Sequence, residues 1–378
     1  MQEVCDYITE IHKEERYVDK VVVLVQQMID YHHAPSRVAL DRCKCLIDAG
    51  YKVLLINTAE LLAGVNGIKF VSKSEPSYCE AFIDKDYLEW KDTKIPFFQC
   101  EQNMPNIATI TQLLKAISTM KPFFALSIAS GTIFEGLMSK LIPVLGIPMS
   151  AGLTISGANC QIHTGPLDNK HYRIQEILGM SDCQIIHIDQ SGFSIIDQKE
   201  KHYRYEIGID DDSFIMAVVG GRLNNELNKS FWEMFRKALL QVPYLKLLII
   251  GDYNFEIDVK GLENNVVLMG YVDDFLSWIE ICDLYVNPHR IGGGTSSVEA
   301  LSKGVPVLTE NYGDVATNVG EAFCVRDYSE YPMIIKKYYD NKEFYDRQSN
   351  LAKERAEQLL KHDTDFLKII EEFKRRCI

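Results

Sequence analysis

Uninterrupted apolar runs recur in both halves of the chain and predict strands that are buried on both faces. The clearest are VVVLV (21–25), YKVLLIN (51–57), FIMAVVG (214–220) and LKLLIIG (245–251). Strands that are covered on both faces lack the apolar-polar alternation of a half-exposed sheet, and they are typical of parallel sheets flanked by helices. The pattern therefore predicts an α/β protein built on parallel sheets.

Helical stretches separate these runs. RVALDRCKCLIDAG (37–50) lies between the first two strands, and KSFWEMFRKALLQV (229–242) lies between their counterparts in the second half. Such βαβ units build doubly wound domains with right-handed crossovers. We predict two Rossmann-like domains facing a cleft, at 1–200 and 201–378, joined through the polar stretch 197–213. The final helix, about 353–378, is predicted to pack back towards the N-terminal domain.

Composition narrows the class of protein. The 378 residues are 47% apolar and carry a net charge of -13, which excludes a disordered chain and argues against nucleic-acid binding. Ten cysteines are scattered without a CxxC pair, and the N-terminal region is charged throughout. The longest apolar region is interrupted by Glu135, Lys140 and Pro143. We therefore expect reduced thiols, a cytoplasmic location and no membrane span.

The stretch NPHRIGGGTSSVEALSKGVPVLT (287–309) places three consecutive glycines before hydroxyl side chains. It follows the strand LYVNP (284–288), and ligands of doubly wound domains bind at the carboxyl ends of strands. A helix N-terminus attracts anions, and glycines let a phosphate oxygen approach the backbone. We predict a phosphate site here, with Thr295 and Ser296 as hydroxyl donors.

Glu299 lies one turn into the helix that this stretch opens, where it would reach the ribose hydroxyls of a bound nucleotide. Its spacing from Ser296 also fits a capping box, in which Glu299 would only close the helix start. Both interpretations stay open. The motif is GGGTSS and falls late in its domain, unlike the dinucleotide fingerprint, so a nicotinamide dehydrogenase is disfavoured.

Two cations follow the first strand of the second half. Arg222 stands at the carboxyl end of FIMAVVG, and Lys229 opens the next helix. Converging on one site, the two side chains would neutralise a diphosphate. The alternative is that both are surface cations, and this alternative is stronger for Lys229.

The order of these segments over residues 214–325 resembles the carboxyl-terminal domain of GT-B nucleotide-sugar glycosyltransferases. It is similar to the group of retaining bacterial sugar transferases (family 4), and the spacing of the helix NK and the strand VP also resembles protein-glycosylating relatives (family 41). In the first half, YHHAPSRVALDRCKCLIDAGYKVLLIN (31–57) is similar to the opening βαβ unit of their acceptor domain.

The resemblance implies roles for specific residues. Arg222 and Lys229 would hold the diphosphate, Glu299 the ribose, and Tyr271 and Val272 would lie beside the base. The phosphate oxygens would be bound by Gly292, Gly293, Gly294, Thr295 and Ser296. No metal and no cofactor is implied, because cations and the helix dipole replace the metal. Two departures stand out: many retaining members carry a second glutamate where this chain has Ile291, and their lysine lies closer to the arginine.

A proton acceptor is expected from the first half, and three histidines are the candidates: His32, His33 and His163, which lies in the predicted loop QIHTGPLDN. Histidine titrates near neutrality and suits proton transfer. Asp30 is a weaker candidate, and His289 is predicted to contact the transferred sugar or the diphosphate. For each histidine the alternative is a loop or core residue without chemistry.

The sequence thus predicts a metal-independent hexosyl- or N-acetylhexosaminyltransferase. Its donor would be a nucleotide sugar, with UDP as the expected nucleotide, and its acceptor a glycan, a lipid-linked glycan or a protein. The alternatives are a UDP-sugar epimerase and a non-catalytic, transferase-like partner subunit. Homo- or hetero-oligomerisation stays open, as does peripheral contact with the inner face of the membrane through basic segments such as FKRRC (373–377).

Overall fold

The computed structural model describes residues 8–378 except 32, 61–78, 101–103, 129–130, 150–152, 165–168, 189–191, 194, 255–259 and 361. The chain divides into unit 1, residues 1–189 with 363–378, and unit 2, residues 190–362. Each unit contains one sheet that is parallel or nearly so, with helices between its strands. The predicted α/β class with two doubly wound sheets is confirmed.

The described residues of unit 1 form eight strands: β1 Tyr17–Val25, β2 Lys52–Asn57, β3 Tyr87–Trp90, β4 Thr93–Gln99, β5 Pro122–Ile128, β6 Val144–Ile147, β7 Cys160–Thr164 and β8 Ile185–Ile188. Their order is β3-β4-β2-β1-β5-β6-β7-β8, and only the described pair β3 and β4 is antiparallel. Its first helices are α1 Ala34–Asp48, α2 Ile107–Met120, α3 Ile133–Met138 and α4 Asn169–Leu178. The predicted loop that contains His163 is wrong, because this residue belongs to β7.

In unit 2 the part of the chain that the structure describes forms six parallel strands: β9 Phe214–Val219, β10 Leu245–Ile250, β11 Val266–Gly270, β12 Leu284–Val286, β13 Val307–Glu310 and β14 Cys324–Val325. Their order is β11-β10-β9-β12-β13-β14. Its helices are α5 Leu223–Glu226, α6 Lys229–Leu239, α7 Phe275–Ile279, α8 Gly294–Ser302, α9 Gly313–Val319, α10 Tyr331–Asp340 and α11 Lys342–Leu360. The chain then enters α12, His362–Cys377, which packs in unit 1 from residue 363 onwards.

Burial on both faces explains the continuous apolar runs. In β9, Met216 and Val218 join a core with Phe231 and Phe235 of α6, while Ile215 and Ala217 join the opposite core with Val298 and Leu301 of α8. Alternate residues of a strand point to opposite faces, so a central parallel strand needs apolar residues at every position.

The polar stretch 197–213, predicted to be an interdomain connector, is fixed to unit 2. The backbone N–H groups of Lys199 and Glu200 donate to Asp274 at 2.8 and 2.9 Å, and Arg204 bonds Asp283 at 2.9 Å. The segment has no periodic apolar residues that could pack on the core, and charge-assisted hydrogen bonds hold it on unit 2 instead.

Candidate functional site

One pair of strands in unit 2 sends its following segments to opposite sides of the sheet. β9 and β12 are neighbours, with β10 beyond β9 on one side and β13 beyond β12 on the other. At such a switch point the two loops diverge and leave room for a ligand at the carboxyl ends of the strands. Here the loops are residues 220–222 and 287–293, so the sheet brings Arg222 and the glycine stretch to one edge.

Arg222 lies directly beside the glycine stretch. Its side chain is 61% exposed, its Nε donates to Oε1 of Glu226 at 3.2 Å, and a Cβ on Gly292 would lie 3.2 Å from its Nη2. Lys229 differs, because its side chain is 90% exposed and its Nζ lies 3.7 Å from Glu233 of the same helix. Among the described contacts, none joins Lys229 to the predicted phosphate site.

A buried arginine that the sequence interpretation did not identify supports the loop after β12. The Arg290 guanidinium is 5% exposed and donates four hydrogen bonds at 2.8–2.9 Å, to the Val219 carbonyl, the Glu226 carboxylate, the Asn287 amide oxygen and the Tyr285 hydroxyl. Burial acts to lower the pKa of Arg290, but Tyr285 and Glu226 outweigh it and raise this pKa above its ordinary value. Glu226 thus bridges a buried and an exposed arginine.

The glycines are required by the packing of the protein itself. Gly293 has φ of +102°, and a Cβ there would lie 2.6 Å from Nη2 of Arg290. A Cβ on Gly294 would lie 2.5 Å from Nδ2 of Asn318. The loop therefore needs these glycines to close over Arg290 even without a ligand, and the approach of a phosphate oxygen to them stays a prediction. The sequence alone carried no signal of this contact, because the partners of Arg290 other than Tyr285 and Asn287 are distant in the chain.

Gly293 is the residue before α8, and the helix start carries no side-chain cap. Ser296 lies inside the first turn, where its Oγ donates to the Gly293 carbonyl at 3.2 Å and lies 3.0 Å from the Tyr285 hydroxyl. The capping-box interpretation of Ser296 and Glu299 is therefore wrong, because Ser296 is not the N-cap. The first N–H groups of α8, including that of half-buried Thr295, and the positive end of its dipole suit an anion.

Glu299 and the segment after β11 are the residues predicted to contact the nucleoside. Glu299 lies in the second turn of α8 and is 7% exposed. Tyr271 is 62% exposed, and Val272 packs half-buried against the core. Because β10 separates β11 from β9, this segment lies two strand spacings, about 10 Å, from the loop that holds Arg222.

His289 is oriented by a carboxylate at the ends of two neighbouring strands. Its Nδ1 lies 2.6 Å from Oε2 of Glu310, and its ring stacks on Tyr312 with centroids 4.9 Å apart. Its backbone N–H donates to the Tyr328 hydroxyl at 2.6 Å. With Nδ1 engaged and the side chain 55% exposed, Nε2 is the ring nitrogen that a ligand can reach.

The histidines of unit 1 do not form one group. His33 precedes α1, where its backbone N–H donates to Asp30 at 2.7 Å and its Nδ1 lies 2.9 Å from the Ser36 hydroxyl. His163 is 2% exposed at the end of β7, with its ring centroid 4.8 Å from that of His171. His163 belongs to β7, which is three strand spacings, about 14 Å, from β1, whereas His33 follows β1 and precedes α1. His32 lies outside the described residues.

The described part of the chain contains no group of three or more His, Cys, Asp or Glu side chains arranged to hold a metal ion. None of the described helices is both long and apolar enough to cross a bilayer.

Fold and site together define a class: a protein of two doubly wound units with a glycine-rich helix start at the switch point of the second. Residues 215–341 match the family model described as "Glycosyl transferases group 1". The resemblance stated from the motifs is therefore confirmed for this third of the chain.

A curated relative is the capsular polysaccharide biosynthesis glycosyltransferase CapM of Staphylococcus aureus, 28% identical over 137 residues. The matched region covers 34% of this chain and 36% of CapM, so the chain matches about a third of that relative. The solved structure of a glycosyltransferase from Rickettsia africae is similar with a TM-score of 0.68 and 12% identity over 95% of this chain and 99% of that one.

The structure of Anabaena HepE in complex with UDP is similar with a TM-score of 0.62 and 14% identity, covering 93% of this chain and 98% of that one. At such low identities the likeness establishes the fold, which is the GT-B fold of nucleotide-sugar glycosyltransferases. Substrate and activity have to be argued from the residues.

Proposed function

We propose that the chain is a glycosyltransferase that takes a hexose or N-acetylhexosamine from a UDP-sugar without a metal ion. The observation that carries the proposal is the position of exposed Arg222 beside the start of α8, a helix that lacks a side-chain cap. The group 1 domain match and the likeness to a structure that holds UDP support it.

In the proposed complex the diphosphate lies against the N–H groups at the start of α8. Arg222 would donate to its oxygens through the guanidinium edge that Glu226 leaves open, since Glu226 accepts from Nε. Thr295 and Ser296 would add hydroxyl donors. These groups are fixed before the substrate arrives, so they stabilise the charge that develops on the departing diphosphate without reorganisation.

The nucleoside would extend from the diphosphate along the carboxyl edge of the sheet. Glu299 would accept hydrogen bonds from the ribose hydroxyls, and the backbone at Tyr271 and Val272 would lie beside the base. His289, with Nδ1 held by Glu310, would direct Nε2 towards the phosphate or the transferred sugar. The acceptor is proposed to be a hydroxyl or amide of a glycan, a lipid-linked glycan or a protein, and His33 and His163 remain predicted bases.

The first experiment measures UDP affinity by calorimetry for the wild type and for Glu299→Ala, Arg222→Met and the control Glu233→Ala, an exposed glutamate on α6. Loss of a charged hydrogen bond predicts about a 10- to 100-fold weaker Kd for the first two variants and no change for the control. Unchanged UDP affinity in Glu299→Ala and Arg222→Met would remove the basis of the proposal.

The second experiment separates transfer from its alternatives. Purified protein is incubated with a panel of nucleotide sugars, and nucleotide release and sugar products are followed. UDP release that depends on an acceptor supports transfer, whereas conversion of the free UDP-sugar indicates an epimerase. The observation that favours a non-catalytic partner subunit is Ile291 at the position where many relatives carry a carboxylate. UDP binding without turnover across the panel would support that alternative.

A further inference from the structure

Two cysteines that are distant in the chain meet where α12 packs on unit 1. Cys160 begins β7 and is 1% exposed, and Cys377 is the last residue of α12 and is half-buried. They are 217 positions apart in the sequence, yet their Sγ atoms lie 3.0 Å apart. This separation is about 1 Å longer than a disulfide bond.

The end of α12 is anchored, so the contact does not rest on a fraying helix. Arg376 donates from Nη1 to the Ile185 carbonyl at 2.8 Å and the Cys183 carbonyl at 3.2 Å. Earlier in the same turn, Lys374 donates a hydrogen bond to the Tyr51 hydroxyl. Phe373 is fully buried and packs against Phe124, with ring centroids 5.8 Å apart. The side-chain contacts of these preceding residues therefore fix the position of the Cys377 thiol.

The pKa values of the two thiols are shifted in opposite directions, and this difference favours disulfide formation. The hydrogen bond between them lowers the pKa of Cys377, and the Arg376 guanidinium lowers it further. The same hydrogen bond, together with burial, raises the pKa of Cys160. Cys377 is therefore the thiol that becomes a thiolate first, and its partial exposure lets an oxidant reach it.

We propose that Cys160 and Cys377 form a reversible disulfide that fastens α12 to β7 when a low-molecular-weight disulfide such as oxidised glutathione is present. The Cys377 thiolate attacks one sulfur of the oxidant, forms a mixed disulfide and expels one glutathione thiolate. Cys160 loses its proton, attacks the Cys377 sulfur and expels the second glutathione thiolate. The two protein thiols are oxidised and one oxidised glutathione is reduced to two glutathione molecules.

The expected consequence follows from the positions of the two residues. The disulfide closes a covalent ring that includes all of unit 2, because unit 2 lies between residues 160 and 377. Cross-links that close long loops restrict the unfolded chain the most. The bond also prevents local opening of the last turns of α12, which would otherwise be governed by side-chain contacts alone.

The test incubates the full chain in glutathione buffers of increasing oxidation and maps peptides by mass spectrometry without reduction. The wild type and Cys183→Ser are expected to yield a peptide that links 160 to 377. Cys183 is a matched control, since it is exposed and its Sγ lies 3.0 Å from the Ser181 hydroxyl. In Cys160→Ala the expected product is glutathione retained on Cys377, and in Cys377→Ser residue 160 stays unmodified.

The wild-type map decides the proposal even if a variant folds poorly. The proposal is wrong if Cys183 becomes glutathionylated while no link between 160 and 377 forms, or if Cys160 pairs with Cys183 instead. Hydrogen exchange of the oxidised and reduced wild type tests whether the disulfide holds the end of α12 on β7. Amides in the last two turns of α12 are expected to exchange several-fold more slowly after oxidation, and equal rates would contradict it.

Discussion

The carboxyl edges of the two sheets are built around buried charges of opposite sign. In unit 2 the buried group is Arg290, which supports the loop that opens α8. In unit 1 the buried groups are Glu135, which accepts from the Ser156 hydroxyl at 2.6 Å and the Gly157 N–H at 2.7 Å, and Glu60, which accepts from the Phe134 N–H at 3.2 Å.

The difference concerns which charge each edge can present to a ligand. Around Glu226 the two arginines leave an excess positive charge beside a helix start, and the exposed one is Arg222. The edge of unit 1 instead uses backbone N–H groups and a hydroxyl to satisfy its own carboxylates. An anionic diphosphate therefore suits the edge of unit 2, where Arg222 is exposed, whereas Arg37 in the first turn of α1 of unit 1 is buried.

The largest expected effect comes from removing the buried cation. Arg290→Met leaves the Glu226 carboxylate without its buried partner, and we expect a loss of about 3–5 kcal/mol in the free energy of unfolding. Arg222→Met removes an exposed pair and should cost less than about 1 kcal/mol. Urea titration of both variants measures the difference. Equal losses would show that Arg290 does not support the loop in the way described.

The second effect is a pH dependence of stability that comes from Glu60 at the edge of the unit 1 sheet. Burial raises the pKa of Glu60 to about 7 from 4.5, against the lowering effect of hydrogen bonds from Phe134, Thr132 and Thr58. The folded state then binds the proton more tightly than the unfolded state. The contribution of the protonated carboxyl to the free energy of unfolding is fully present below pH 4.5. It falls by about 3 kcal/mol as pH rises from 4.5 to 7.

Glu60→Gln tests this linkage, because glutamine mimics the neutral carboxyl at every pH. Relative to the wild type, the variant should become more stable as pH rises from 4.5 to 7 and should show a constant difference above that window. Denaturant unfolding at several pH values measures it, and a buried group predicts little dependence on salt. A pH-independent difference between variant and wild type would argue against a raised pKa.

The smallest effect compares a glycine of each unit. Gly50 and Gly293 both have positive φ, +93° and +102°, but a Cβ on Gly50 would meet nothing within 4 Å, whereas one on Gly293 would meet Arg290. Gly50→Ala should cost about 1 kcal/mol through the backbone alone, and Gly293→Ala about 2 kcal/mol because the contact adds to it. Thermal unfolding of the two variants gives the comparison, and a larger cost at Gly50 would contradict it.

The sequence predicted the central strands because their apolar runs reflect burial on both faces, as in β1, β2, β9 and β10. It missed β7, in which Gln161 and His163 are buried polar residues, and the hairpin of β3 and β4, which alternates exposed and buried residues. Polar residues in a sequence usually indicate a loop. They can be buried in a strand when they have hydrogen-bond partners, and the sequence alone does not show those partners.

The site was predicted unevenly for a similar reason. The glycines and the helix start are adjacent in sequence, so their combination was visible. Arg290 was overlooked because its bonded partner Glu226 lies 64 positions away, and a lone arginine after a strand gives no sign of burial. Likewise, Ser296 and Glu299 have capping-box spacing, but only the observed helix start at Gly294 shows that Ser296 is not the cap.

The return of the chain to unit 1 in α12 bears on the order of events during synthesis. The apolar face of α12, which includes Phe366, Ile370 and Phe373, becomes available only after residues 190–362 have left the ribosome. Until then Phe124 of β5 lacks the ring of Phe373, although it already contacts those of Tyr51 and Phe123. Domains usually fold as units from the N-terminus, but this one has to wait for its last helix, and unit 2 can complete its own sheet first.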